Sequence, residues 1–185
     1  MLVIEAISSH PLKNYFNGTR VKLLRWEYGG ESVAGSHARS SINSPHIVQI
    51  FDFAWKSLPQ GAEADGISQR NFKQAVAHEF THVAQSENPQ LVSSYTDVGS
   101  DNRRDFPVHT DYAKADWNIA EDMALTVSTI VYGDPDIRQR FVGGVKEHKF
   151  WFVHWSTTRS RNPRADWLEE QTGATFPAFS LPITE

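Results

Sequence analysis

The stretch His78-Glu79-Phe80-Thr81-His82 constrains this chain more than any other. It sets two imidazoles four residues apart, with a carboxylate directly after the first. On a helix, positions i and i+4 lie one above the other on the same face. Two ring nitrogens there can share one zinc ion, and the Glu beside them can take a proton from water activated by the metal. The competing interpretation is a surface helix with two solvated histidines. The neighbours argue against it: Phe72, Ala75, Val76, Phe80, Val83 and Ala84 recur at helical spacing. Ser68 is a candidate N-cap and Asn88-Pro89 a stop signal. The spacing therefore predicts one amphipathic helix over about residues 69 to 87, with a metal site in its second half.

Such a helix needs a core to pack on. The chain has 185 residues, 39% of them hydrophobic and six of them Trp, which suffices for one domain and argues against disorder. A net charge of −4 gives no electrostatic footprint for nucleic acid, and no apolar run reaches the length of a membrane span. Cys is absent, which removes disulfides, thiolate ligands and a Cys nucleophile from consideration. Met1 to Glu5 is not a signal peptide, since it has neither a basic segment nor a long apolar one. A cytoplasmic protein and a secreted one whose leader is not among these residues both stay open, as does the oligomeric state.

Leu2 to Ile7 reads as a short strand, and so does Val21 to Tyr28. Residues 29 to 45, rich in Gly, Ser, Ala and Asn, read as a loop. Ile47 to Trp55 carries the strongest strand signal, with β-branched and aromatic residues throughout. Beyond the motif helix, Pro89 to Pro107 is polar and reads as a long irregular loop. A second helix is predicted from Asp116 to Tyr132, on the stripe Ile119, Ala120, Met123, Ala124, Val127, Ile130 and Val131. A third is predicted from Ile137 to about Lys149, after Asp134-Pro135-Asp136. The aromatic run Phe150 to Trp155 reads as packing, and Arg159, Arg161 and Arg164 as ordinary surface. His37, His46, His148 and His154 lack partner spacing and read as structural.

A catalytic zinc site needs a third protein ligand and an open position for water. Glu121 and Asp122 are adjacent carboxylates among the apolar Ile119, Ala120, Met123 and Ala124. A carboxylate there is costly unless exposed, paired or metal-bound. Both also suit the first turns of a helix, where negative charge is favourable. Two histidines lacking a third partner tilt the choice toward a ligand.

The combination of His-Glu-x-x-His with a downstream Glu-Asp-x-Ala helix resembles the gluzincin branch of the zincin metallopeptidases. It is similar in particular to bacterial zinc metallopeptidases in which a Tyr-Ala segment precedes the Glu-Asp helix. Here that segment is Tyr112-Ala113, and the matching segments cover about a quarter of the chain. The resemblance implies that Glu121 is the third zinc ligand, with Tyr112 a donor to the oxyanion. Tyr95, Tyr132 and His109 are weaker candidates for that last role, and His109, close to Tyr112 in sequence, is also a candidate ligand. Thermolysin-like relatives carry an Asp four residues after the ligand Glu, which orients a zinc-binding His. Here that position is Leu125, so Asp122 becomes the candidate for the orienting role. Val83-Ala84-Gln85-Ser86-Glu87 lacks the spacing of the metzincin branch.

The expected fold is α+β and zincin-like. A small twisted N-terminal sheet packs on the motif helix, and a mainly helical C-terminal lobe follows. The upper lobe would cover about residues 1–88 and the lower about 89–185 of a single catalytic domain, with Ile47 to Trp55 as the strand nearest the cleft and residues 89 to 110 as its gate. The expected chemistry is peptide-bond hydrolysis with Zn2+ as cofactor, Glu79 as general base and a protein or peptide as substrate. A catalytically idle zincin-fold binding module is one alternative. A zinc amidase acting on a non-protein substrate such as peptidoglycan stem peptides is another.

Overall fold

The computed structural model describes residues 1–26, 35–51, 54, 66–102, 118–132, 147–150, 153–156 and 163–175. Its centre is the motif helix, α2 (Gly66–Glu87), whose 22 residues span about 33 Å. Phe72, Val76, Phe80, Val83 and Ala84 are buried along one side of it, as their three- and four-residue spacing requires. The helix begins earlier than Ser68, so that residue lies inside it and is not its cap. It ends at Glu87, and Pro89 opens the next helix, where its missing N–H costs nothing.

Among the described residues, helices and a sheet are arranged about α2. The first is α1 (Leu2–Ser8), where a strand was expected. Leu2, Val3, Ala6 and Ile7 pack on the core while Ile4 and Glu5 face outward. That is a helical repeat too short to be told from a strand by its apolar run alone. An ion pair between Glu5 and Lys73, 2.5 Å, ties it to α2.

The sheet has strands β1 (Val21–Trp26), β2 (Gly35–Ala38) and β3 (His46–Phe51) in the order β1-β3-β2. β1 runs parallel to β3 and β2 antiparallel to it. In β3 the residues His46, Val48 and Ile50 are buried and the intervening ones half-buried, the period-two pattern of a strand with one face on the core. Two expectations change here. The segment read as a loop contains β2, and β2, not β3, is the edge strand lying against the motif. Its Gly-Ser-His-Ala sequence has none of the β-branched residues that advertise a strand, and pairing with β3 alone makes it one.

After α2 comes α3 (Pro89–Asn102), which corrects the expectation of an irregular loop up to residue 102. Leu91, Val92, Tyr95 and Val98 keep a helical stripe that the surrounding polar residues mask. α4 (Ile119–Tyr132) is the expected second helix, capped by Asn118, whose Oδ1 accepts the Ala120 N–H at 2.8 Å. β4 (Glu147–Phe150) and β5 (Val153–Ser156) pair antiparallel, so the end of the expected third helix lies in a strand, as do Phe150 and residues 153–155 of the aromatic run. The rest of that expected helix, and its opening Asp134-Pro135-Asp136, lie outside the described residues. α5 (Pro163–Thr172) closes the core with Ala165, Trp167 and Leu168. The class is thus mixed α+β, with a small sheet and helices about one core. Among the described residues, no helix is long and apolar enough to cross a membrane.

Candidate metal centre

Among the described elements, α2 and α4 pack against each other most extensively, and the candidate site lies in that contact. From α2, His78 and His82 stand one turn apart with their rings in edge contact. From α4 comes Glu121, in the first turn, where its charge also suits the helix dipole. The Nε2 atoms of the two histidines are 3.2 Å apart. His78 Nε2 lies 3.2 Å from Glu121 Oε2, and His82 Nε2 lies 3.3 Å from Oε1. These three groups could hold a metal ion. Each is half-buried, so the cluster keeps an open side.

The charges are arranged accordingly. Hydrogen bonds from His78 and His82 hold the Glu121 carboxyl well below the usual carboxylate range. Burial pulls His82 down, but Glu121, Gln85 and Glu79 together outweigh it and leave the ring above its ordinary 6.5. Glu79, one residue on from His78, is only 5% exposed. Burial pushes its carboxyl up, against the pull of His78 and His82. It faces the sheet: a Cβ on Gly35 of β2 would lie 2.8 Å from both Glu79 Cγ and Oε1. Only a glycine lets the strand come this close to the carboxylate.

Two further groups reach the cluster. Gln85, one turn beyond His82, accepts from His82 Nδ1 at 2.7 Å through its Oε1 and donates its Nε2 to the Ala120 carbonyl at 2.8 Å. On the sheet side, the His37 ring lies nearly parallel to that of His82, with centroids 6.2 Å apart. His37 Nε2 is 2.8 Å from Nδ1 of the buried His46, whose Nε2 is 2.8 Å from Glu87 Oε1. Arg39 also pairs with Glu87. A carboxylate, two imidazoles and the ring of His82 thus form one connected row. Burial, with His46, His82 and Arg39 nearby, lowers His37 to about 4, so it is neutral at physiological pH. From below, the buried His10 ring meets the Ala77 carbonyl at 3.0 Å and Thr81 Oγ1 at 3.2 Å, fixing the turn that carries the motif.

Of the residues expected at the site, His78, Glu79, His82 and Glu121 come together. Asp122 does not join them. Successive helical residues point about 100° apart, and Asp122 turns into the core, where Arg164 grips both its oxygens at 2.9 Å. It therefore meets neither His78 nor His82, and the group at His82 Nδ1 is the amide of Gln85. Arg164 is fully buried, not ordinary surface. Tyr95 is buried beside this pair, with its hydroxyl 2.5 Å from Asp122 Oδ1. The Tyr132 hydroxyl meets Ser9 Oγ at the far end of α4, so neither tyrosine faces the cluster. Tyr112 and His109 lie outside the described residues. The spacing of Gln85 from His82, three residues on one helical face, was a usable signal. For His37 and His46 there was none, since sheet register alone joins them. Compared with family models, with curated proteins and with solved structures, the chain matches none.

Proposed function

We propose that this chain is a zinc-dependent peptidase. One observation carries the reading: two ring nitrogens and one carboxylate from two helices lie 3.2 to 3.3 Å from one another, beside a buried carboxylate. Ligands at zinc–nitrogen and zinc–oxygen distances of about 2.0–2.1 Å and tetrahedral angles sit about 3.3–3.4 Å apart. The spacing therefore fits zinc without rearrangement, and two His with one carboxylate is a donor set suited to a catalytic site with one open position. Bound there, zinc supplies an acidified water and polarises a carbonyl oxygen.

The chain's own residues do the rest. Glu79 takes a proton from the attacking water and returns it to the leaving amine. Its burial favours this, because a carboxylate with a raised pKa gives up and accepts protons closer to neutrality. Tyr112 is the proposed donor to the oxyanion, on the resemblance to the gluzincins. Among the described residues, no strand pairs with the outer edge of β2. An extended peptide could add there, with its backbone alongside Gly35 and Glu79.

The test is direct. Glu79→Gln should retain about one zinc per chain and lose hydrolysis of a peptide library by about 10²- to 10⁴-fold. Unchanged turnover in that variant would sink the reading. Glu121→Ala should lose the metal, and Tyr112→Phe should lower turnover more than zinc content.

A further inference from the structure

We infer that Gln85 is the positioning residue of the metal centre: its amide selects the Nδ1–H tautomer of His82 and so turns the Nε2 lone pair toward Glu121 and His78. The inference rests on reading the cluster as a metal site, and it concerns how that site is preset.

The argument starts at the far end of the amide. The Ala120 carbonyl can only accept a hydrogen bond, and it lies 2.8 Å from the Gln85 side chain. The NH2 of Gln85 must therefore face Ala120, because the opposite orientation would press two acceptors together. That leaves Oε1 against His82 Nδ1 at 2.7 Å, where it can only accept. Nδ1 must then carry a proton. A neutral imidazole has one N–H, so Nε2 is left with its lone pair. With the ring neutral, this lone pair meets Glu121 Oε1 at 3.3 Å, two acceptors face to face, and either a second proton on the ring or a metal ion between them reconciles the pair.

The same amide does a second thing. Ala120 immediately precedes Glu121, so Gln85 joins the helix that carries both histidines to the turn that carries the carboxylate. One side chain, 7% exposed, thus fixes both the ring of His82 and the spacing between the two ligand helices. Partners of this kind, hydrogen-bonded to a metal-binding histidine, typically change metal affinity by about 10- to 100-fold when removed.

Two substitutions separate the two tasks. Gln85→Glu keeps an acceptor for Nδ1–H but loses the donor to Ala120. Gln85→Leu keeps the volume and loses both. Histidine tautomers would be read by long-range ¹⁵N–¹H NMR in metal-free protein, at a pH where the rings are neutral. Zinc affinity would be read by chelator competition. His82 should be the Nδ1–H tautomer in the unsubstituted protein and in Gln85→Glu, and should lose that preference in Gln85→Leu. Zinc affinity should fall about 10- to 100-fold in Gln85→Leu and less in Gln85→Glu. The inference is overturned if His82 of the unsubstituted protein carries its proton on Nε2. It is equally overturned if Gln85→Leu binds zinc within about twofold of the unsubstituted protein with its tautomer unchanged. A protein that binds no zinc would instead defeat the peptidase reading, while the tautomer of His82 still judges Gln85.

Discussion

At the scale of single residues, the proposed metal centre would set protons against metal. Without metal, Glu121 and His82 stabilise each other as a carboxylate and an imidazolium. Glu121 is lowered from 4.5, so its share is present above that pH and lost as pH falls through its depressed value. His82 is raised from 6.5, so its share is complete below that pH and lost as pH rises through its elevated value. The carboxylate's share comes first from the hydrogen bond of His78 and then from that of His82, and the shares of Glu121 and His82 are complete together only between about pH 4.5 and 6.5. Zinc needs the neutral ring and gains where the proton leaves. The unfolding temperature of chelator-treated protein should therefore decline above pH 6.5 relative to that of zinc-loaded protein, and the gap between the two should widen as pH rises. Thermal unfolding with and without zinc across this range checks it, and a gap independent of pH would contradict it. The elevated Glu79 makes a matching statement about turnover. Its base form persists only above a raised pKa, so the acid limb of kcat/KM should lie above the ordinary carboxylate value of 4.5.

At the scale of elements, the site depends on a close approach between a strand and a helix. β2 brings the Gly35 backbone against the Glu79 side chain, while the Gln49 carbonyl on β3 stands 3.0 Å from where a Cβ would go. That carbonyl belongs to a paired strand and cannot give way, so Gly35→Ala must displace the Glu79 carboxylate instead. The substitution should lower kcat while leaving zinc content unchanged, at a cost in stability of about 1–3 kcal/mol. Kinetics and metal analysis on one preparation separate the two effects. The same contact marks what the sequence could disclose. His78, Glu79 and His82 were legible because helix geometry is local and their spacing carries it. Glu121 stood out as a carboxylate in an apolar stripe, but its meeting with the histidines depends on how α2 and α4 pack. β2 was illegible because Gly35, Ser36, His37 and Ala38 have no strand preference and pair only after β3 exists. The row from Glu87 through His46 to His37 follows from that register, so it was hidden for the same reason. α3 was missed because its apolar residues are sparse and lie under a polar exterior.

At the scale of the whole molecule, the helix that carries Glu121 is held from behind by charge. Arg164 on α5 and Asp122 on α4 are both fully buried and form a two-pronged pair. The Tyr95 hydroxyl on α3 donates to Asp122 and accepts from Arg164 Nε at 3.0 Å, and Thr126 lies 2.8 Å from it. Three helices thus meet at one ion pair directly behind Glu121. Nothing in the sequence joins residues 42 positions apart, so an arginine in a sparse basic tail reads as surface until the fold brings it inside. Breaking such a pair from one side leaves an uncompensated charge in the core, whereas replacing both members with apolar residues removes the cost along with the benefit. Arg164→Met should therefore destabilise the protein by about 3–5 kcal/mol in urea unfolding and weaken zinc binding, because the first turn of α4 loses its anchor. The double variant Arg164→Met with Asp122→Leu should be less destabilised than Arg164→Met alone, with zinc affinity partly restored. If both single and double variants unfold at the urea concentration of the unsubstituted protein, the ion pair is incidental and apolar packing alone positions Glu121.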